Sequence, residues 1–514
     1  MFHHAPRLWH FHGGLRLPGH KRESTALPIA PLPLPAQLVL PLHQHIGAPA
    51  EPLVQVGERV LKGQLIARAD NYVSAALHAP SSGVVRAIES RIIPHPSGLP
   101  APCIIIDTDG HEEWAVLPPA IENPQSAAPE TLRARVREAG IVGLGGAGFP
   151  THVKLKPEQE HLVDTLIING AECEPYISCD EMLMRERAHD VVAGALIMRH
   201  AVHAAHCIIG IEDNKPEAQA ALLRALAALD DVSVSVIAIP TRYPAGGEKQ
   251  LIKVLTGREV PNQKLPLDIG VVCHNVGTAA AVYRAVQLGE PLIARIITVS
   301  GVGVAQPRNF EVPIGTPIRA LIAAAGGYTH ATPRLLMGGP MMGLPLPDDT
   351  LPIIKTSNCI LVLPAQKAPS ETPCIRCGEC VRVCPVNLLP QQLYWHVQAK
   401  DFDMVQDHHL FDCIECGCCD YVCPSHIPLV SYYRYAKTEI WTQEKEQRKA
   451  DHARRRHEQR LARLERDKTE RAARLQKHKT ELHSSDASDV DPKKAAVQAA
   501  LERVKAKQQI TEDT

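Results

Sequence analysis

The sequence predicts a multidomain α/β chain with several small β modules, and three observations predict it. Residues 130–290 alternate helical and strand periods, the order that builds a largely parallel sheet. Short β-rich runs broken by Gly and Pro flank that stretch at 38–106 and 294–345. Further on, cysteines recur in one rhythm, as Cys374, Cys377, Cys380, Cys384-Pro385 and again as Cys413, Cys416, Cys419, Cys423-Pro424.

Composition sets the bounds. A chain of 514 residues has room for about three or four domains. Hydrophobic content of 45% supports packed cores, while 4% aromatics with 43 Pro and 33 Gly point to many turns and small modules instead of one large sheet. A net charge of -1 gives no case for nucleic acid. The cysteine runs take eight of the 15 cysteines and the rest are scattered singly, which favours a reducing compartment. The N-terminal residues show no apolar signal-peptide segment, so no export is expected. No run of 18 apolar residues occurs either. The longest candidate, 191–211, is interrupted by Arg199, His200, His203 and His206 and reads as an amphipathic helix followed by a strand. Peripheral attachment to a membrane partner stays open.

In chain order, residues 1–36 are rich in His, Pro and Gly with no lasting period. They read as an extended, solvated, partner-facing arm, since His3, His4, His10 and His12 lack Cys or carboxylate co-ligands. Residues 37–115 hold short strands at 56–66 and 78–85. They resemble the barrel-sandwich hybrid of lipoyl and biotinyl carriers, but the hairpin that should bear the modified lysine reads Asp70-Asn71-Tyr72-Val73-Ser74. The fold is expected without its prosthetic arm, in a docking use. Within 125–290, helices are expected to Ala139, from Glu181, to about Ala228 and from Gly277, with strands at 165–169, 207–211, 232–239 and 269–273. Residues 291–365 fit a β-grasp (SLBB-like) unit with strands near 296–299 and 310–312 and a helix at 316–325. After the cysteine segment, 366–435, a charged helical tail fills 436–514, with a second Ala-rich helix from Asp491 to Lys507. The tail reads as solvated helix, the alternative being contact with partners or an anionic surface.

Each cysteine run is spaced C-x2-C-x2-C-x3-C-P. Three thiolates on one tight loop can hold three irons of a cube, and the fourth lies on the helix beyond. Zinc ribbons close with two Cys pairs and do not need this rhythm twice. The spacing resembles that of bacterial ferredoxins with two [4Fe-4S] clusters, in which the fourth cysteine of each run serves the other cluster. That resemblance implies Cys374, Cys377, Cys380 and Cys423 on one cluster and Cys413, Cys416, Cys419 and Cys384 on the other, in a ferredoxin-like α-helical domain. Cys418 is off the spacing and reads as a packing or hydrogen-bonding thiol.

Gly143-Leu144-Gly145-Gly146-Ala147-Gly148-Phe149-Pro150-Thr151 contains G-x-G-x-x-G. The residues before it look helical and the first good strand comes after it, so the ordinary dinucleotide context fails. Its four glycines still free consecutive N–H groups to face an anion, with Lys154 near enough to add a cation. A phosphate-bearing cofactor is the natural guest. Polar residues close three strands where a crevice should lie: Asn169, Glu172 and Glu174; Tyr243 and Glu248; Asn275 and Thr278.

With these motifs in place, the chain resembles the RnfC/RsxC component of the Rnf/Rsx electron-transport complex over nearly its whole length, from Phe11-His12-Gly13-Gly14-Leu15 to the Ala/Lys-rich tail. Its central domain is similar to the FMN- and NADH-binding flavoprotein of respiratory complex I. The resemblance implies a Rossmann-like FMN-binding domain. It puts Gly143, Gly145, Gly146, Gly148 and Lys154 on the side of the phosphate of a non-covalent FMN, with Asn169, Glu172, Glu174, Tyr243, Glu248, Asn275 and Thr278 lining the rest. Three positions depart from the complex I pattern: Leu144 stands for Arg, Ala171 for Asp and Gly247 for Glu. The resemblance further implies two [4Fe-4S] clusters, NAD(H) as substrate, and ferredoxin or another low-potential carrier beyond. It implies other subunits of a membrane-embedded, ion-translocating complex and a place on the cytoplasmic face of the inner membrane. An electron-carrying scaffold without its own nucleotide site is the alternative, and the NADH-linked part of a soluble hydrogenase is a third reading.

Overall fold

The computed structural model describes residues 7–156, 162–229, 233–331, 333–365, 369–485 and 492–511. His3 and His4 lie outside them. The described residues up to Ala436 form one compact unit, and those from Lys437 onward form a second.

The first unit opens with a segment containing α1 (Arg22–Thr25) and β1 (Ala30–Pro31). The hybrid follows, with β2 (Gln37–Pro41), β3 (Glu51–Pro52), β4 (Arg59–Val60), β5 (Leu65–Arg68), β6 (Leu77–His78), β7 (Gly83–Ile92) and β8 (Pro100–Thr108). They form two small sheets, ordered β2-β8-β7-β4 and β3-β5-β6. Alternation along β2 and the apolar run 103–106 of β8 drive side chains inward, where Leu40, Val60, Ile66, Ile104 and Ile106 are buried together with Leu132, Ile168 and Val191 of the next domain. The hybrid therefore shares a core with the α/β domain instead of standing apart as a docking module. Its carrier-type hairpin is tied down as well. Tyr72 O accepts from His152 Nε2 at 3.0 Å, and Val73 O accepts from Ala48 N at 2.9 Å.

The α/β domain runs α2 (Pro129–Glu138), α3 (Thr151–Lys154), β9 (Thr165–Gly170), α4 (Cys179–Glu186), α5 (Ala188–Ala201), β10 (His206–Glu212), α6 (Pro216–Leu229), β11 (Val234–Ile239), α7 (Glu248–Thr256), β12 (Val271–Asn275) and α8 (Val276–Tyr283). All pairings in the β11-β10-β9-β12 sheet are parallel. Central β9 is the apolar run Leu166-Ile167-Ile168, buried on both faces as parallel strands require. Burying one such side chain is worth about 1.5–3 kcal/mol. Three expectations need correction. The helix expected from Glu181 is two helices, broken at Arg187, which pairs with Glu311 at 2.6 Å. Residues 191–198 of α5 are buried on every side, because α5 packs against α2, α4, α6 and α8 as well as against β9 and β10; it is not amphipathic. Helix α7, between β11 and β12, is an addition.

The third module holds β13 (Ala294–Ser300), β14 (Arg308–Pro313), α9 (Ile318–Ala324), β15 (Pro333–Met337), β16 (Leu344–Leu346) and β17 (Cys359–Pro364). Its sheet is ordered β1-β14-β13-β17-β15-β16, so the N-terminal segment supplies an edge strand, with Ala30 opposite Phe310. The cysteine segment carries α10 (Glu379–Val383), α11 (Pro390–Gln398), α12 (Phe402–Asp407) and α13 (Cys418–Tyr421). Two tail helices complete the chain, α14 (Leu429–Ser485) and α15 (Pro492–Thr511).

The N-terminal segment is the largest correction. From residue 7 onward it is not a solvated arm. Trp9 N donates to Val254 O at 3.0 Å, Gly14 N to Val383 O at 2.8 Å and Tyr176 N to Gly19 O at 2.8 Å. Leu8 and Phe11 pack against the core beside α7. The segment straps the α/β domain to the cysteine segment.

Candidate functional site

Parallel strands bring their carboxyl ends to one edge, and the glycine loop lies there between α2 and α3. Gly143 N donates to Phe149 O at 2.8 Å, and Leu144 N donates to the buried Thr278 Oγ1 at 2.9 Å. The two bonds pin the loop's base. Among the described residues, no hydrogen bond engages the N–H groups of Gly145, Gly146, Ala147 or Gly148. Gly146 and Gly148 have φ of +114° and +67°, values that glycine reaches without strain. A Cβ on Gly145 would lie 3.3 Å from Asn275 Cβ. The loop thus keeps its free donors over the start of α8, where Asn275 Oδ1 accepts from Gly277 N at 2.8 Å as a cap.

Asn169 and Asn275 stand opposite each other in register. Asn169 Nδ2 donates to Gly246 O at 2.8 Å, fixing the loop after β11 over the same edge. Lys154 Nζ lies 2.6 Å from Glu248 Oε1 and donates to Cys273 O at 2.7 Å. Beside it, His274 is buried with Nε2 unpaired, and burial drives its pKa well below the usual histidine value. The structure thus brings Gly143, Gly145, Gly146, Gly148, Lys154, Asn169, Glu248, Asn275 and Thr278 to the carboxyl edge of this sheet.

Behind the loop lies a charged layer in which only Glu172 belongs to a sequence motif. Asn275 Nδ2 donates to Asp180 Oδ2 at 2.6 Å. Asp180 N donates to Glu172 Oε1 at 2.8 Å, so Glu172 serves the start of α4, one step from the loop. Burial first, then the Glu172 charge, raises Asp180 to about 7. Lys21 of the strap lies 3.6 Å from Glu172 Oε2. Buried Arg295 of β13 donates to Leu144 O at 3.0 Å and to Ser357 O at 3.1 Å. It brings a guanidinium beneath the position where the complex I pattern carries Arg. Leu144, Asp180, Gly277 and Arg295 line a cavity of about 340 Å³.

Two expected pocket residues have their polar groups committed elsewhere. Glu174 Oε1 accepts from Met341 N and Met342 N, both at 2.9 Å, and holds the loop before β16. The Tyr243 hydroxyl donates to Cys416 O at 2.7 Å in a buried contact. Both side chains join modules and do not line the crevice.

The cysteine runs form two groups. Cys374, Cys377, Cys380 and Cys423 line a cavity of about 260 Å³ beside Trp395 and Gln391. Cys384, Cys413, Cys416 and Cys419 line a smaller one of about 20 Å³, where Cys418 is fully buried. The fourth cysteine of each run has crossed to the other group. The backbone repeats too, with left-handed Arg376, Gly378 and Asn387 matched by Glu415, Gly417 and His426 at one constant offset. Exposure separates the groups: Cys377 is exposed, whereas Cys384, Cys416 and Cys419 are buried. Four thiols around each small cavity are a donor set that suits an iron–sulfur cube, and the free N–H row with a lysine suits a phosphate.

Comparison with known proteins agrees with this division. Family models match in order: the RnfC barrel sandwich hybrid domain at residues 9–111, the Nuo51 FMN-binding domain at 136–284, the SLBB domain at 296–345 and a 4Fe-4S dicluster domain at 373–427. The RnfC-type subunit of the ion-translocating oxidoreductase complex of Pseudomonas aeruginosa is 52% identical over 97% of this chain, which spans 65% of that relative. Its counterpart from Yersinia pestis is 46% identical over 94% of this chain and 78% of its own length. Among solved structures, an NAD+-reducing NiFe-hydrogenase in the H2-reduced state aligns with 59% of this chain and 61% of its own at a TM-score of 0.44 and 22% identity. With an FMN-binding domain and a 4Fe-4S dicluster domain in one compact unit, the chain belongs to the RnfC family of ion-translocating oxidoreductase complexes.

Proposed function

We propose that this chain exchanges electrons between NAD(H) and ferredoxin or another low-potential carrier, as a peripheral subunit of a membrane-embedded complex that couples the transfer to ion translocation. Its place is the cytoplasmic side of the inner membrane, beside the other subunits. No described helix is long and apolar enough to cross a membrane. One observation carries the reading: a phosphate-type cradle and two four-cysteine cavities belong to one packed unit, and Tyr243 of the cradle's domain is hydrogen-bonded to Cys416 of one of these cavities.

In this reading the N–H groups of 145–148 and Lys154 take the FMN phosphate. Asn169, Glu248, Asn275 and Thr278 border the crevice, and Arg295 and Glu172 brace it from behind. Cys374, Cys377, Cys380 and Cys423 hold one cluster, and Cys413, Cys416, Cys419 and Cys384 the other. FMN supplies hydride exchange with a nicotinamide and single-electron exchange with the clusters. Glu248 holds the Lys154 ammonium at the crevice, and burial with the Glu172 charge keeps the Asp180 carboxyl behind the loop more readily protonated than an ordinary aspartate.

The test is the content of anaerobically purified chain, expected at about eight irons and one FMN, with an absorbance change on adding NADH. Replacing Lys154 by Ala should lower flavin retention. A second reading, a scaffold without a nucleotide site, draws on Leu144, Ala171 and Gly247 and on Lys154 being already engaged by Glu248 and Cys273 O. Unaltered flavin content in Lys154→Ala, together with no response to NADH, would favour it.

A further inference from the structure

Among the described residues, the buried cysteine group is reached by hydrogen bonds from outside its own segment, and its twin is not. The Tyr243 hydroxyl donates to Cys416 O at 2.7 Å. From the strap, His12 Nδ1 lies 2.9 Å from Cys384 O. A carbonyl oxygen only accepts, so His12 Nδ1 carries the proton. Two of the four thiol-bearing residues therefore receive a donor on their peptide carbonyls, from two different modules.

The strap is shaped for this contact. Gly13 and Gly14 have φ of +62° and +78°, and Cβ atoms on them would come 2.5 Å from Val383 O and 2.6 Å from Tyr243 O. Leu15 exchanges both backbone hydrogen bonds with Tyr243, at 2.7 and 2.8 Å. The two glycines let the ribbon run between α10 and the loop after β11, with His12 on one side and Tyr243 on the other. On a third side, Met341 O closes on Gly417, 2.9 Å from where its Cβ would be. Among the described residues, no hydrogen bond from the strap or the α/β domain reaches Cys374, Cys377, Cys380 or Cys423.

We propose that His12 and Tyr243 are positioning residues that set the reduction potential of the Cys384–Cys413–Cys416–Cys419 site apart from that of its twin. Donors on the ligands' peptide carbonyls bring positive dipole ends into the surroundings of the site, and they favour the reduced, more negative cluster. The inference rests on the proposed reading that these cysteines hold a [4Fe-4S] cluster.

The test is an EPR-monitored redox titration of the full chain loaded with both clusters, comparing wild type with Tyr243→Phe, His12→Ala and His12→Gln. In Tyr243→Phe and in His12→Ala, one of the two cluster signals should shift to lower potential. The expected shift is about tenfold in its oxidised-to-reduced ratio, ~59 mV for one electron. The other signal should stay in place, and His12→Gln, which keeps an N–H donor, should recover most of the shift. Signals that stay put in both variants, or that move together, overturn the proposal. If Tyr243→Phe loses iron, the pair His12→Ala and His12→Gln decides alone. A wild-type chain without two clusters, seen in iron and sulfide content before any titration, overturns the underlying reading instead.

Discussion

Replacing Gly148 by Ala probes whether the glycine loop is held in shape by its surroundings or only by its own turns. Its φ of +67° lies in the left-handed region, where an L-residue costs roughly 1–2 kcal/mol. A Cβ there would lie 2.5 Å from Thr356 Cγ2, a clash, and 3.4 Å from His45 Cα, an ordinary contact, so either the Thr356 side chain or the loop must shift. Overpacking of that kind costs typically about 1–3 kcal/mol. The sum, about 2–5 kcal/mol, corresponds to roughly one and a half to three and a half powers of ten in affinity if it falls wholly on the loop. Flavin affinity, followed by quenching of flavin fluorescence on titration into the deflavinated chain, should weaken accordingly. The two parts are separable. Adding Thr356→Ser removes Cγ2, so the double variant should recover the overpacking share and keep the backbone share. Equal affinities for single and double variants would refute the assignment of the clash to Thr356. A Gly148→Ala chain that binds as wild type would refute the placement of the loop in the cofactor site.

Three further predictions follow from buried groups. Cys418→Ala should leave iron content intact, since Cys418 is off the ligand rhythm, whereas Cys419→Ala should lose one cluster; iron and sulfide analysis distinguishes them. Burial lowers Lys355 from 10.5 to about 7. Between those values the unfolded chain binds the extra proton, so stability should rise with pH across that window and stay flat below it. Urea midpoints against pH should show this slope in wild type and lose it in Lys355→Met. Burial first, with the Lys355 charge adding, lowers His45 to about 4 and His78 to about 3 from 6.5. There the unfolded chain again takes the proton first, so stability should fall as pH drops from about 6.5 toward 3, and a His78→Gln chain should show a shallower acid decline by circular dichroism.

What was legible in the sequence is what local pattern encodes. Leu166-Ile167-Ile168 ending in Asn-Gly announces a buried parallel strand and its carboxyl end. The cysteine rhythm announces two cavities, and the structure puts the fourth cysteine of each run in the other group. Helix α7 was hidden because Leu251, Ile252, Val254 and Leu255 form a short apolar run that suits strand or helix equally. Helix α5 hid its burial because Arg199 and His200 at its end give a polar signal that residues 191–198 do not share. The need for Gly13 and Gly14 arises from the carbonyls of Val383 and Tyr243, far away in sequence, so nothing near residue 13 distinguishes a strap from a loose arm. Arg295, Lys21 and Asp180 belong to no motif; only folding brings them behind the glycine loop. Tyr243 and Glu174 sit in motifs at the correct strand ends, yet their side chains turn to the neighbouring modules.

The hairpin of the hybrid bears on how this architecture treats motion. In carrier proteins the corresponding tip must travel freely with its cargo. Here Tyr72 O is bonded to His152, Val73 O to Ala48 N, and Arg137 reaches Ala69 O at 3.2 Å. The tip is moored to α2 and α3, the helices on either side of the glycine loop. A part whose fold suits a swinging arm has become a stationary buttress. Electrons moving between fixed sites need constant separations, and a moored tip gives up reach in exchange for keeping the wall of the crevice in place.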